Sequence, residues 1–467
     1  MSIEQYKNVI VGSGEGGKYL AWHLASSGEQ TMVVERRWIG GSCPNINCLP
    51  AKNEIWSAKV ADLVHHASAF GVTTGAVSVS VEGVRKRKRE MVDALVAIHV
   101  HKFESTGTEL VMGAAKFAGP TTLEVSLNDG GTRTIQAERI FLNLGTHASI
   151  PPIPGLAESA PLTHIEILEL DRLPEHLFVL GGGYVGLEFA QAYRRFGSKV
   201  TILQRASQLL PKEDADVAEE LQKILSAEGI EILTSVEVLS VEGRSGDAVR
   251  IEIQTNGEKR VLAGSDILVA TGRTPNTAEI GLEVAGVEVD AAGWLKVNDR
   301  LETTAPGIWA IGEVAGSPQF THASLDDFRI IRDNLAGGSR STSDRLMPSS
   351  LFTDPQVAHV GLSEIEAKRQ GISYQIAKIP MGAVLRTRTI SETAGFMKAL
   401  IDPADGRILG FTMIGAEAGE VMSVVQMVIL AKGTYLTLRD AVLAHPTMSE
   451  GLNVLFSTVK LSGKTQG

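Results

Sequence analysis

The sequence predicts an α/β protein in which one strand–turn–helix–strand unit occurs twice before a separate C-terminal α+β domain. Three observations predict it. Strand-like apolar runs alternate with helical stretches along most of the chain, the pattern of sheets crossed by helices. "NVIVGSGEGGKYLAWHLASSGEQTMVVE" (8–35) reads strand, glycine turn, helix, strand, and "LFVLGGGYVGLEFAQAYRRFGSKVTILQR" (177–205) reads the same way. Around "MPSSLFTDPQVAHVGLSE" (347–364) the pattern changes to mixed strands and helices that run to "HPTMSEGLNVLFSTVK" (445–460).

At 467 residues the chain is too long for a single core and suggests about three domains. Four segments are expected: 1–150, 151–276 opening on the linker-like "PPIPG", 277–346, and 347–467. Hydrophobic content of 43% and charged content of 21% are ordinary for a soluble globular protein. The net charge of −10 and the pI near 5.7 argue against a nucleic-acid or anionic-membrane binder. No apolar run reaches the roughly 20 residues of a membrane span. The N-terminus lacks the basic-then-apolar layout of a signal peptide. A cytoplasmic protein is therefore expected, and in that compartment a cysteine pair is more often redox-active than structural.

Taken in chain order, the first element of interest is the loop after the first strand. Gly12, Gly14 and Gly17 form G-x-G-x-x-G directly after an apolar run. The first glycine makes the turn, the second admits a pyrophosphate, and the third lets helix and strand pack closely. The helix N-terminus then faces the phosphates with its partial positive charge. Glu35 ends the next strand, where an acid accepts hydrogen bonds from ribose hydroxyls.

"GGSCPNINCLPAK" (40–52) follows, holding both cysteines of the chain, Cys43 and Cys48. On an ideal helix, residues five apart lie about 8.6 Å apart at Cα. A disulfide spans at most about 7 Å, so a regular helix forbids the bridge and a distorted first turn permits it. Pro44 suits a helix start, and Asn45 and Asn47 tolerate irregular backbone. A helix mouth also favours a thiolate. No nearby His or Cys completes a zinc set.

Residues 55–103 are expected to be mostly helical, with "VRKRKRE" (84–90) as a solvated basic face. The second loop repeats the motif with Gly181, Gly183 and Gly186. Its following strand ends in Gln204 and Arg205 rather than in an acid. An acid at 204 would repel a 2′-phosphate. Gln204 removes that repulsion and Arg205 can pair with the phosphate, which favours NADPH while leaving NADH open.

Together these residues resemble the flavoprotein pyridine-nucleotide disulfide oxidoreductases: glutathione reductase, dihydrolipoamide dehydrogenase and mercuric reductase. The resemblance runs nearly end to end, through both glycine loops, "GGSCPNINCLPAK", "ATGRTPN" (270–276), "GIWAIGEVAG" (307–316) and "HPTMSE" (445–450). It implies FAD in the first fold, NAD(P)H in the second, a central domain at 277–346 completing the FAD site, and a C-terminal dimerisation domain. It implies hydride transfer from nicotinamide to flavin, and then reduction of a Cys43–Cys48 disulfide. Cys48 would be the charge-transfer thiol and Cys43 the thiol that attacks substrate. His445, from the partner of a homodimer with shared active sites, would be the acid–base group, oriented by Glu450. Lys52 and Glu188 would form an ion pair beside the flavin, and Tyr184 an aromatic lid over the nicotinamide pocket. The resemblance further implies FAD contacts at Glu15, Gly16, Ser42, Ala115, Gly145, Glu313 and Thr321. On the nucleotide side it implies contacts at Val185 and Gly272. Of eleven histidines only His445 lies in "HPTMSE".

Departures from the family pattern concern substrate. Glu313 replaces the usual aspartate, Pro44 the usual aliphatic residue and Asn47 the usual glycine, while "NLGTHA" keeps only Gly145 of its motif. Glutathione reductases place arginines in the first helix where Trp22 and His23 stand, which argues against glutathione. The tail "KLSGKTQG" lacks the cysteine pair of mercuric reductases. The expected activity is NADPH-dependent reduction of a small disulfide or related electrophile. The alternatives are NAD-linked dithiol oxidation, as in dihydrolipoamide dehydrogenase, and flavin-dependent reduction of metal ions or quinones.

Overall fold

The computed structural model describes residues 3–460. Residues 461–467, most of the cysteine-free tail noted above, lie outside the described residues. The first unit is a parallel sheet in the order 109–119, 31–35, 3–11, 132–142, 308–310. Strand Thr122–Leu127 pairs antiparallel with both 109–119 and 132–142. The central strands Val9–Val11 and Ile140–Leu142 are buried and apolar throughout, as expected for a sheet covered on both faces.

The chain leaves this unit after residue 148, builds the second, and returns. Ile308–Ala310 pairs with Ile140–Leu142, and Ile280, Leu295, Val314 and Ile331 complete the first unit's core. The second unit is a four-stranded parallel sheet in the order 266–269, 176–180, 199–203, 231–233, with a three-stranded antiparallel sheet at 237–264. The C-terminal unit is a five-stranded antiparallel sheet covered by helices Ala418–Leu430 and Gly451–Ser457, with its own core. The α/β class and the C-terminal α+β unit are as expected.

Both parallel sheets end in the same steric device. Gly12 sits at φ +98°, and a Cβ there would lie 2.3 Å from the Asn143 carbonyl oxygen. Gly181 sits at φ +104°, with the Ala270 carbonyl oxygen 2.5 Å from such a Cβ. Only glycine fits either turn, because the neighbouring parallel strand passes too close for a side chain.

The expected helical stretch divides into a redox helix, Cys48–His65, and a basic helix, Val81–Thr106, with residues 71–80 in neither helix nor strand. The basic run corrects the reading of a solvated face. Lys88 is 1% exposed, and its Nζ lies 3.3 Å from Glu54 of the redox helix and 3.9 Å from Glu169. Arg87 donates to the Asn53 carbonyl oxygen and side chain at 2.8 and 2.7 Å, and Arg89 pairs with Glu169. The run clamps the basic helix to the redox helix. Tertiary packing supplied acids that a local charge count does not reveal. Burial pushes the Glu54 carboxyl up to about 7 despite Lys88.

Candidate active site

The cysteine segment is two helices and a break. Ser42–Asn45 forms one short helical turn carrying Cys43 and Pro44, and the redox helix opens on Cys48. Between them Asn47 takes an irregular conformation (φ −140°, ψ −102°). Asn45 instead braces the turn, donating to the Ile39 and Gly41 carbonyl oxygens at 2.9 and 2.8 Å. The break folds the two cysteines together, as a regular helix could not.

The structure holds Cys43 and Cys48 as free cysteines. Their titrations are linked. The interaction with Cys48, with burial adding to it, pushes the Cys43 thiol above the usual range. The same interaction holds Cys48 below it, with burial opposing and the Thr321 hydroxyl and the Lys52 charge helping.

Three neighbours surround Cys48. Thr321 Oγ1 lies 3.2 Å from Cys48 Sγ. Lys52, one turn along the redox helix, donates to both Glu188 oxygens at 2.9 and 2.7 Å. Glu188 is buried and also accepts from the Phe352 N–H at 2.9 Å, while the Lys52 ammonium lies 4.8 Å from the Phe352 ring centre. This ion pair ties the redox helix to helix Tyr184–Phe196 of the second unit and to the C-terminal unit. Tyr184 opens that helix, its ring packed near Phe320 and its hydroxyl 3.3 Å from Glu213. Asn47, Cys48, Lys52, Thr321, Tyr184 and Glu188 all line one cleft of about 2150 Å³ between the units.

Both dinucleotide loops fit their expected groups. Helices Glu15–Ser26 and Tyr184–Phe196 begin at Gly14 and Gly183, and neither has a side-chain cap. An anion can therefore approach the helix start at Gly14 and Gly183 without displacing a capping side chain of either residue. A Cβ on Gly183 would meet nothing within 4 Å, so its smallness serves the open cleft rather than the protein's own packing. The Glu15 carboxylate pairs with Lys18 at 2.7 Å, leaving backbone to face a pyrophosphate. Gly16 N donates to Ser324, Gly17 N donates to Asn143, and Gly12, Gly14 and Gly17 pack against Asn143. Ser42 opens the short cysteine helix, Gly145 follows strand 132–142 at φ +62°, and Ala115 lies mid-strand opposite Val125.

Three polar residues are more committed than the sequence alone suggests. The Glu35 carboxylate accepts from the N–H groups of Ser13, Arg37 and Trp38 at 2.8, 2.8 and 2.9 Å, and from Ser13 Oγ at 2.8 Å. Ser13 Oγ also reaches the Trp38 carbonyl oxygen at 3.1 Å, so a ribose hydroxyl can take its place on the carboxylate. Glu313 Oε2 is held by Thr146 and by Arg273 at 3.1 Å. Gln204 accepts from Gly182 N–H and donates to the Gln208 carbonyl oxygen, both at 3.0 Å, so it braces the second loop. Arg205 is exposed and lines the cleft, as do Lys212, Val185 and Gly272. Trp22 is buried against Phe103 and His99, so of the two first-helix positions only His23 faces outward.

His445 stands apart from the cysteines. Its Nδ1 lies 2.9 Å from Glu450 Oε2, its side chain is 66% exposed, and it is not among the residues lining the cleft. The structure brings His445 and Glu450 together, but does not bring them to Cys43 within one chain.

Comparison with known proteins places this geometry. Residues 6–327 match the model of the pyridine nucleotide-disulphide oxidoreductase family, and residues 347–455 match its dimerisation domain. The chain belongs to the pyridine nucleotide-disulphide oxidoreductase family. It is a flavoprotein enzyme of that class, with FAD and NAD(P)H as its cofactors. It is 38% identical over 464 residues to the probable pyridine nucleotide-disulfide oxidoreductase RclA of Escherichia coli K12, covering 98% of this chain and 100% of the relative. It is 31% identical to a mercuric reductase of Bacillus cereus, covering 97% of this chain and 71% of that protein. A solved structure described as the Cu(II) complex of the HOCl-induced flavoprotein disulfide reductase RclA from Escherichia coli superposes with a TM-score of 0.89 at 36% identity. That match covers 98% of this chain and 100% of the other. The dimerisation domain supports a homodimer. No helix among the described residues is long and apolar enough to cross a membrane.

The structure adds contacts that the oxidoreductase's sequence did not announce. Thr321, expected as a cofactor contact, lies against Cys48. Phe352 and Glu213 had no motif around them. Asn143 opens "NLGTHA" at the end of a strand parallel to the first, and neither signal gave it a role.

Proposed function

We propose that this oxidoreductase is an NADPH-dependent reductase of a small disulfide or related electrophile, acting in the cytoplasm as a homodimer with shared active sites. The observation that carries the reading is the placement of the cysteine pair: Cys43 on a short helical turn, and Cys48 opening the redox helix in the cleft, its Sγ 3.2 Å from the Thr321 hydroxyl and the Lys52–Glu188 pair lining the same cleft. Bound FAD supplies the two-electron relay between the nicotinamide nucleotide and this pair. The first loop and Glu35 would hold FAD; the second loop, Arg205 and Lys212 would hold NADPH.

The cysteines' part follows from their linked titrations. His445 of the partner subunit takes the Cys43 proton, with Glu450 of the partner subunit stabilising the charge on the ring. Cys43 Sγ attacks one sulfur of the substrate disulfide. That S–S bond breaks, and the departing thiolate takes the proton back from the imidazolium. Cys48 Sγ then attacks Cys43 Sγ, re-forming the Cys43–Cys48 disulfide and releasing the second product as a thiolate. The pair is oxidised by two electrons and the substrate reduced by two.

The exposure of His445 beside Glu450, away from the cleft of its own chain, supports the shared site. A second reading, metal-ion reduction, is favoured by the Cu(II) complex of the similar Escherichia coli reductase. A stopped-flow panel tests both: NADPH against NADH for flavin reduction, then oxidised lipoamide, glutathione disulfide, other disulfides and Cu(II) against the reduced enzyme. Rapid reoxidation by a disulfide supports the first reading. Reoxidation by Cu(II) alone supports the second.

A further inference from the structure

His164 lies in the wall of the interdomain cleft, 4% exposed. Its Nε2 has no hydrogen-bond partner among the described residues. A buried polar atom left without a partner is costly, and such an atom at the edge of a binding cleft points to a partner the chain does not supply. Burial, with the Arg273 charge adding to it, pushes the ring's pKa down to about 4, and Glu166 offsets only part of this. The ring is therefore neutral near neutral pH, with one nitrogen to donate and one to accept.

Its place in the sheet says which ligand reaches it. Leu162 N donates to the Ile267 carbonyl oxygen and Val269 N to the Leu162 carbonyl oxygen, both at 2.8 Å. Residue 162 thus pairs parallel with Leu268 and extends the sheet by one position beyond strand 266–269. His164 follows directly, at the carboxyl end of the sheet, where open α/β sheets bind their nucleotides. Across that end the order is 162, 266–269, 176–180, 199–203. The second glycine loop ends 176–180 and Arg205 follows 199–203, so His164 and Arg205 flank the loop on opposite sides. The residue after the second strand marks the adenosine ribose of a bound dinucleotide. The opposite side is left for the nicotinamide half.

We propose that His164 is a positioning residue for NAD(P)H, a ring nitrogen hydrogen-bonding an oxygen of the nicotinamide ribose–phosphate half. Gly272, which also lines the cleft, sits at φ +135° with open space where a Cβ would stand. His164 lines the cleft while its Nε2 is buried, and rotation of the ring brings a nitrogen to the ligand.

The inference rests on nucleotide binding at the second loop, and the test separates the two ideas. Equilibrium binding to the FAD-loaded enzyme is measured by titration calorimetry for NADP⁺ with 2′,5′-ADP, and for NAD⁺ with ADP. Wild type, His164→Leu, His164→Gln and Arg205→Ala are compared. His164→Leu is expected to weaken the dinucleotide about tenfold and leave its adenosine-half fragment unchanged, with His164→Gln recovering most of the loss. Arg205→Ala is expected to weaken NADP⁺ and 2′,5′-ADP alike. Because the ring's Nε2 makes no bond in the free enzyme, His164→Leu without nucleotide should melt at or above the wild-type temperature. Unchanged dinucleotide affinity in His164→Leu, or equal weakening of dinucleotide and fragment, overturns the proposal. Failure of wild type to bind either dinucleotide overturns the reading of the second loop itself.

Discussion

Thr321→Val isolates the contact that most directly shapes the thiolate. The substitution keeps the side-chain volume and removes the hydroxyl lying 3.2 Å from Cys48 Sγ. A hydrogen bond to a charged group contributes about 1.5–3 kcal/mol. The Cys43 S–H and the Lys52 charge remain and take up part of the loss, so the lower half of that range applies. At about 1.4 kcal/mol per pKa unit, the Cys48 pKa should rise by about one unit. The sign follows from the folded pKa being depressed: the thiolate persists above it and is lost as pH falls through it. The assay is the long-wavelength charge-transfer absorbance of the two-electron-reduced enzyme, titrated from neutral to acid pH. In Thr321→Val the band should fade about one pH unit earlier on acidification, and Thr321→Ser should titrate like wild type. Identical midpoints for wild type and Thr321→Val, with full FAD content in both, would refute the reasoning.

Other consequences follow from the same geometry. Lys88→Met leaves the Glu54 carboxyl buried without its cation and should cost about 3–5 kcal/mol in denaturant unfolding, while Lys88→Met with Glu54→Leu recovers most of it. Because the folded Glu54 carboxyl titrates near 7 rather than 4.5, it keeps a proton that the unfolded chain releases. Its contribution to stability therefore falls as pH rises from about 4.5 to 7, and Glu54→Gln should remove that slope from melting temperatures. Arg205→Ala should raise the KM for NADPH by about tenfold or more and leave that for NADH nearly unchanged, in initial-rate assays. Co-expressed His445→Ala and Cys43→Ser protomers, each inactive alone, should give a heterodimer with activity at its one intact site; a verified heterodimer without activity contradicts the shared-site reading.

What was legible in the sequence is what sterics and spacing dictate locally. Gly12 and Gly181 announce their turns because the neighbouring strand leaves no room for a Cβ. The five-residue cysteine spacing forbade a regular helix, and the chain does break between Asn45 and Cys48. What escaped depends on residues far apart in sequence. Lys88 reads as one charge in a solvated run until Glu54 and Glu169 close over it. Gln204 was read for what it lacks, an acid's repulsion, whereas its amide braces Gly182 and Gln208. Glu35 looked free for a ribose, but three backbone N–H groups already hold it. Trp22 stands where glutathione reductases place an arginine, and the basic helix buries it. His164 carried no motif, and only the strand pairing at Leu162 puts it beside the second loop.

The central claim is that Cys43 and Cys48 form the redox pair fed by the nucleotide. Its most direct test is thiol counting under anaerobic conditions on the oxidised enzyme, before and after one equivalent of NADPH. The account predicts no titratable thiol before reduction and two per FAD afterwards, both mapped by alkylation to Cys43 and Cys48, with the charge-transfer band appearing in step. Full bleaching of the flavin by one equivalent with no new thiol would contradict it.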